Sequence, residues 1–517
     1  MAPAVRSSAR RSIDRQARYG GRAIPMPRLS LCIALIGALI GSVAAAASSS
    51  PDANAVGTPH SACHVPGIPA DVRCGRLAAR LDPSDASSAA FDLHYVVMPA
   101  RALRPREDAV FVLAGGPGQS AVDRAAALAP LLSRLNNRRD LVFVDLRGTG
   151  DSAPLVCPRR NEAPLGELLD PDAQARALAD CRVRLARLPW GDLRQFGTPA
   201  AAADVEALRV ALGYPQVNLL AFSYGTRVAL EYRRRFAGTV RRLVLDGVLP
   251  PDAVMPESFG TDAQAAFDAL LAACRSDLAC DAVYPDLALR WRELLDGLPR
   301  ETTLPHPLRG TREAVRVTRG MLLGMVRGAL YSPVLSAALP HAIREAAAGR
   351  FEALFGVASM TWAARARRGE FAWGLHYAGG CGEDLPRAPA HPGAREFEAH
   401  FDALYRTHCD GWPRQVLPPE FERVTPTTTA ALLLSGGRDP ATPPRHAARA
   451  AEALGPLARH VVAAQAGHGV LQLGCARDVL FRFIDVADEA AARDVDAGCL
   501  ARVPAPPFYV RRSATPP

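Results

Sequence analysis

Three residue types in this chain can do nucleophilic chemistry together. Ser223 stands in Ala221-Phe222-Ser223-Tyr224-Gly225, after an apolar run from Val217 to Phe222 and before a helical pattern running from Thr226 through Arg235. A serine on a sharp turn between a buried strand and a helix has its backbone strained and its hydroxyl lifted clear of the sheet. Strand and helix backbones nearly touch at such a turn, so its neighbours must be small. The usual pattern is G-x-S-x-G; Ala221 departs from it by one methyl. A serine hydroxyl needs a base. Of the twelve histidines, only His468 lies between glycines in a loop after the last apolar strand, Val461 to Ala463. The base in turn needs an acid to fix its tautomer. Asp439, in Gly436-Gly437-Arg438-Asp439-Pro440 after the strand Thr429–Ser435, can reach back to it; Asp246, at the end of the strand Leu243–Leu245, is its rival. The chain order is serine, acid, histidine.

The oxyanion formed in such a reaction needs backbone donors. The strand Val110–Leu113 runs into Ala114-Gly115-Gly116-Pro117-Gly118. This loop lacks the G-K-[ST] ending of a phosphate loop. Beside a nucleophilic serine it supplies one N–H, from Gly116 or alternatively Gly115; the N–H of Tyr224 supplies the second. The stretch Asp145 to Ser152 reads as structural, with Asp145 pairing Arg147 to pin a tight loop.

The elements that must position these groups follow from the pattern. Arg76–Leu81 and Phe91–Met98, separated by Asp82-Pro83-Ser84-Asp85, read as an opening hairpin. Leu141–Val144 is a buried strand. A helix runs from Thr198 to about Leu212, with Thr198 as its N-cap and Pro199 at its first position. From about 250 to 425 the strand pattern is lost. Asp262–Cys274, Leu287–Leu295, Arg319–Ala329, Pro340–Leu354 and Ala394–Arg406 have helical spacing, and His446 sits on a later helix face.

Taken together, Ala-Gly-Gly-Pro-Gly, Asp-Leu-Arg-Gly-Thr-Gly-Asp-Ser, Ser-Tyr-Gly-Thr-Arg and Leu-Val-Leu-Asp-Gly-Val, in that order, resemble secreted α/β-hydrolases of the prolyl aminopeptidase and tripeptidyl aminopeptidase (TAP-like) group. The resemblance runs from about Cys63 to Cys499. It implies an α/β fold: a mostly parallel central sheet flanked by helices, with an inserted helical cap over the serine. The expected organisation is a core in two parts, 63–249 and 426–505, with the cap at 250–425. The G-x-x-D-P-x-x-P context resembles the group's acid loop and favours Asp439 over Asp246. Cys381-Gly382-Glu383-Asp384 resembles the cap segment whose carboxylate holds a substrate's free α-amine, which implies Glu383 in a half-buried pocket, with Asp384 second. Ala114 stands where the group has a histidine. The implied activity is an aminopeptidase acting on peptides with a free N-terminus, with no metal or organic cofactor. An esterase or lipase-like acyl hydrolase on the same scaffold is the alternative. A non-catalytic binding protein is a third, opposed by the intact Ser223, Asp439 and His468.

The charge balance excludes other classes. The formal charge is +9, but residues 1–47 hold seven arginines against one acid, which leaves +3 for the rest and no concentrated basic patch for nucleic acid. All 61 basic residues are arginine. That removes a lysine Schiff base, a Walker lysine and a Ser-Lys dyad. Leu29 to Val43 is apolar, with Arg28 before it and Ala44 to Ala47 after it, as in a secretory signal; Met26 is a possible alternative start. The apolar core is short for a membrane span. Residues 48–62 are rich in Ser, Ala, Pro and Asn and read as disordered. Ten cysteines follow residue 47. They fall into five local pairs, and the expectation is an exported, disulfide-bonded protein with nearest neighbours joined.

Overall fold

The computed structural model describes residues 60–68, 71–158, 162–366, 370–389 and 395–510. The signal reading of 1–47, and the disorder reading as far as residue 59, lie outside the described residues.

The strands are β1 His60–Cys63, β2 Val72–Arg80, β3 Ala90–Met98, β4 Asp108–Leu113, β5 Leu141–Val144, β6 Gln216–Phe222, β7 Val240–Asp246, β8 Arg300–Pro305, β9 Arg312–Val317, β10 Ala431–Gly436 and β11 Ala458–Ala463. Nine of them form one sheet in the order β1-β2-β3-β5-β4-β6-β7-β10-β11. The first three pairings are antiparallel; from β5 to β11 every pairing is parallel. The predicted opening hairpin is present, with Arg80 opposite Ala90. It gains an edge strand, β1, where the sequence reading had disorder to residue 62. Backbone pairing of Cys63 with Val72 and the Cys63–Cys74 disulfide order it.

Side chains alternate across the sheet and build two cores. Phe111, Leu113, Leu219 and Leu245 face one way; Val110, Val112, Leu220 and Val244 face the other. Helices Thr198–Ala211 and Tyr224–Arg235 cover the first face; Ala121–Asn136 and Ala476–Asp485 cover the second. A parallel sheet covered on both faces explains why its strands read as continuous apolar runs.

Between β7 and β10 lies a long insertion. Most of it is helical, including Met255–Ser276, Arg319–Leu330, Trp373–Gly379 and Glu396–His408. Two details differ from expectation. A hairpin of β8 and β9 sits within the predicted helical stretch, its alternating Arg312–Val317 pairing with Arg300–Pro305. The predicted helix over 340–354 is two helices, Leu339–Ala347 and Glu352–Ala366, broken where Gly349 takes a φ of 83°. Buried residues of the insertion, among them Phe267, Phe397 and Tyr405, join the first core. All five nearest-neighbour disulfides are present: 63–74, 157–181, 274–280, 381–409 and 475–499.

Candidate active site

Strand register sets where the reactive groups emerge. Phe222 of β6 is level with Asp246 of β7, Asp246 with Leu434 of β10, and Leu434 with Val461 of β11. The loops that follow these parallel strands therefore open at one edge of the sheet, the usual place for a site in an open α/β sheet.

Ser223 occupies the turn between β6 and the helix Tyr224–Arg235, with φ 52° and ψ −124°. That combination is strained for an L-residue and is held by its surroundings. Its N–H donates to the carbonyl of Asp246 at 2.9 Å. Close approach explains the small neighbours. A Cβ on Gly225 would lie 2.5 Å from the Ala114 oxygen and 2.7 Å from that of Leu113; one on Gly115 would lie 2.7 Å from the Ser223 Cβ. Ala221, by contrast, is an ordinary β6 residue between Leu113 and Leu245, its methyl buried in the first core. The departure from G-x-S-x-G therefore costs no space. Gly115 thus places the glycine loop against Ser223, and Gly116 follows with φ 117°. The N–H of Tyr224 opens its helix, where no preceding turn supplies an acceptor.

His468 Nδ1 lies 2.8 Å from Asp439 Oδ2. The carboxylate is fully engaged: Oδ1 accepts from the N–H groups of Ala441 and Thr442 at 2.8 and 3.0 Å, and Oδ2 also accepts from Thr442 Oγ1 at 2.8 Å. Burial pushes the Asp439 carboxyl up, but the charge and hydrogen bond of His468 and the backbone donors outweigh it and hold it below the usual range. Burial pulls His468 down, yet Asp439 beside it raises the imidazole above its ordinary value. A ring whose Nδ1 donates to a carboxylate keeps Nε2 available as a base. The ring also lies against the end of β7: a Cβ on Gly247, the residue after the Asp246 whose carbonyl holds the Ser223 N–H, would be 3.4 Å from His468 Cε1.

Asp246, the rival acid, does something else. Its carboxylate accepts from the N–H groups of Val470 and Leu471, at 2.8 and 2.9 Å, and so anchors the loop behind His468.

The insertion reaches this edge. Tyr331 accepts the His468 N–H on its carbonyl at 3.0 Å, with its ring 5.0 Å from the imidazole, and Ala372 donates its N–H to the Gly118 carbonyl at 2.9 Å.

Glu383 is not half-buried but wholly buried. The helix that starts at Thr198 closes over it. One oxygen accepts the Thr198 N–H; the other accepts from Thr198 Oγ1 at 2.8 Å, and that hydroxyl also meets Tyr224 Oη at 3.0 Å. Thr198 is thus no N-cap: Gly197 holds that position, and the threonine side chain binds Glu383. Burial raises the Glu383 carboxyl to about 7, despite Arg227, 3.7 Å away. Asp384 is buried too, accepting from Arg227 at 2.8 Å, Arg387 at 2.7 Å and the Met255 N–H at 3.1 Å. Its lone pairs are taken up in tying the insertion to the core helix.

The expected Asp145–Arg147 pair does not form. Asp145 accepts from Ser120 Oγ at 2.6 Å and lies 3.0 Å from His94 Nδ1, while Arg147 makes a fork to both oxygens of Asp204 at 2.7 Å. His446 is buried on the helix Pro444–Leu454, 2.8 Å from Asp262. Thr442, Tyr331 and Arg227 escaped the sequence reading as site residues, and Thr198 was read only as an N-cap, because each meets a partner distant in the chain; only Thr442, three residues after Asp439, left a local trace. Among the described residues, no cluster of three or more His, Cys, Asp or Glu is arranged to hold a metal, and no helix is long and apolar enough to cross a membrane.

Comparison with known proteins agrees with this architecture. The alpha/beta hydrolase fold family matches residues 108–278, and the TAP-like protein family matches residues 396–494. The serine protease Hip1 of Mycobacterium tuberculosis is 27% identical over 314 residues, which is 57% of this chain and 59% of that protein. A tripeptidyl aminopeptidase of Streptomyces coelicolor is 32% identical over 157 residues, 28% of this chain and 29% of that one. A carboxylesterase B of M. tuberculosis is 32% identical over 283 residues, 50% of this chain and 52% of that one. The chain thus spans between about a third and three fifths of the length of these relatives. Its sheet order, its serine turn and these matches give it the α/β-hydrolase fold, and the stretch that carries β10, β11, Asp439 and His468 is similar to the TAP-like protein family.

Proposed function

We propose that this hydrolase is an exported serine aminopeptidase. The observation that carries the reading is the 2.8 Å pair of His468 and Asp439, on a loop that Asp246 ties to the strained turn of Ser223. In the mechanism, His468 takes the Ser223 proton and the hydroxyl oxygen attacks the scissile carbonyl. Asp439 keeps the proton on Nδ1 and stabilises the imidazolium. The N–H groups of Tyr224 and Gly116 hold the oxyanion. His468 then protonates the leaving amine, and water releases the acyl group from Ser223. Losing one oxyanion donor costs about 3–4 kcal/mol of barrier.

Glu383 is assigned to the free α-amine of the substrate. Burial raises its carboxyl to about 7 despite Arg227, and a substrate ammonium beside it would favour the ionised form. Glu383 is connected to the serine turn through Thr198 Oγ1, which meets the phenol oxygen of Tyr224, the residue after the nucleophile. The five disulfides support an oxidising compartment. The esterase reading draws its support from the carboxylesterase B relative. Free and N-acetylated versions of one peptide separate the two, with a simple ester as control, on wild type, Ser223→Ala and Glu383→Gln. The aminopeptidase reading expects acetylation to abolish cleavage, Glu383→Gln to raise KM for the free peptide while sparing the ester, and Ser223→Ala to lose both. Equal rates on free and acetylated peptide would remove Glu383 from amine binding.

A further inference from the structure

Arg327 is a buried cation without an anion. It lies on the insertion helix Arg319–Leu330 and is 9% exposed. Its guanidinium sits 4.1 Å from the Phe259 ring centroid and 5.1 Å from that of Phe401. One nitrogen, Nη2, donates to the Tyr331 hydroxyl at 3.0 Å; Nε is buried with no acceptor. Among the described residues, no carboxylate comes within ion-pair distance of it. Other buried arginines are better satisfied: Arg139 has Asp108, Arg147 has Asp204 and Arg227 has Asp384, while Arg233, which also lacks a carboxylate among the described residues, spreads its two terminal nitrogens over the carbonyl and hydroxyl of Thr425 and the carbonyl of Pro426. A guanidinium stays charged when buried, and one left with neither a carboxylate nor enough carbonyl acceptors has room for an anion that arrives later.

Its position says which part of a substrate brings that anion. Tyr331, its one hydrogen-bond partner, packs its ring edge-on against His468. With Nδ1 on Asp439, the other nitrogen of His468 is the one that meets the leaving amine. Tyr331 thus links Arg327 to the histidine that must protonate the leaving amine, and the guanidinium, held against aromatic rings, has donors left for a planar, two-oxygen acceptor. A peptide spans about 3.3–3.6 Å per residue, so a leaving portion of one or two residues has the reach.

We propose that Arg327 receives a carboxylate on the leaving portion of the substrate, either the C-terminal carboxylate of a short peptide or an acidic side chain at its first residue. The inference rests on the aminopeptidase reading and narrows it to short or acidic leaving groups.

The test compares kcat/KM for matched tetrapeptides ending in a free acid or an amide, and for pairs carrying Asp or Asn as the first leaving residue, with a neutral ester alongside. Wild type, Arg327→Gln and Arg327→Lys are assayed. At least one of the two wild-type ratios should be about tenfold or more, and the larger one names the source of the carboxylate. That ratio should fall to about one in Arg327→Gln and stay intermediate in Arg327→Lys. Ratios taken within a variant do not depend on how much of it folds. Both ratios near one in the wild type would overturn the assignment, whatever the variants do, and so would a large ratio that survives in Arg327→Gln. Ester turnover without cleavage of any peptide would instead overturn the peptidase reading, and this inference with it.

Discussion

Asp246 takes the backbone N–H of Ser223 on its carbonyl at 2.9 Å, while its buried carboxylate holds the backbone of Val470 and Leu471. One residue thus ties the turn that carries the hydroxyl to the loop that carries the imidazole. Asp246→Ala should leave two buried N–H groups without acceptors, at about 1–3 kcal/mol each. The urea midpoint should fall, and kcat/KM should fall at denaturant-free conditions because the His468 loop loses its anchor. An unchanged midpoint would show that the loop is held by other contacts.

The raised His468 and lowered Asp439 give the pH dependence a sign. The base works only when neutral, so kcat/KM should climb with pH along an acid limb whose midpoint lies above 6.5. Asp439→Asn removes the charge that raises the ring. Its limb should move to lower pH, and its kcat should drop about 10⁴-fold as the imidazole adopts the wrong tautomer. For stability, the His468 contribution is complete below its ordinary value and fades as pH rises through the raised one; that of Asp439 is complete above the ordinary carboxylate range and is lost only in stronger acid.

Glu383 has the opposite sense to an ordinary carboxylate. Its folded value is raised to about 7, so between its ordinary value of 4.5 and 7 the folded chain holds a proton that the unfolded chain has released. Its contribution to stability therefore declines as pH rises through that window. Glu383→Gln should remove this component, so the denaturation midpoint of the variant relative to wild type should rise from pH 5 to pH 7.5. A constant difference would mean that Glu383 is ionised throughout.

Gly115→Ala tests the packing of the glycine loop on the serine. The new methyl would lie 2.7 Å from the Ser223 Cβ and 2.8 Å from the Phe222 oxygen, both rigid atoms of the turn. One side must shift, and the oxyanion donors shift with it. A loss of about 10²–10³ in kcat is expected, measured on an ester so that peptide binding does not enter. Full activity would mean that the loop gives way without moving a donor.

The Cys381–Cys409 bridge closes a 28-residue separation two residues before Glu383. Replacing both cysteines by alanine should cost about 2–4 kcal/mol in stability. It should also raise KM for free peptides more than it lowers kcat on esters, because the segment it pins carries Glu383 and not Ser223. Equal effects on both substrates would place the bridge in general stability alone.

The local sequence was enough for whatever depends on near neighbours. Val217 to Gly225 specifies a strand, a strained turn and a helix by apolar run and small flanking residues. Asp439 and His468 were legible because each follows a buried strand in a glycine-rich loop, and parallel pairing delivers such loops to one edge. The cysteine pairs were legible because short separations favour local closure. Contacts between side chains far apart in the chain were not. Nothing near Asp145 or Arg147 announces that they choose Ser120 and Asp204 instead of each other. Nothing near Glu383 says that Thr198 will cover it, or that Asp246 will serve as an anchor. Nothing in the helical stretch around Arg327 says that the fold will surround it with Phe259, Phe401 and Tyr331. Sequence spacing fixes conformation over a few residues; the burial that gives a charge its partner, or denies it one, exists only once distant segments have packed.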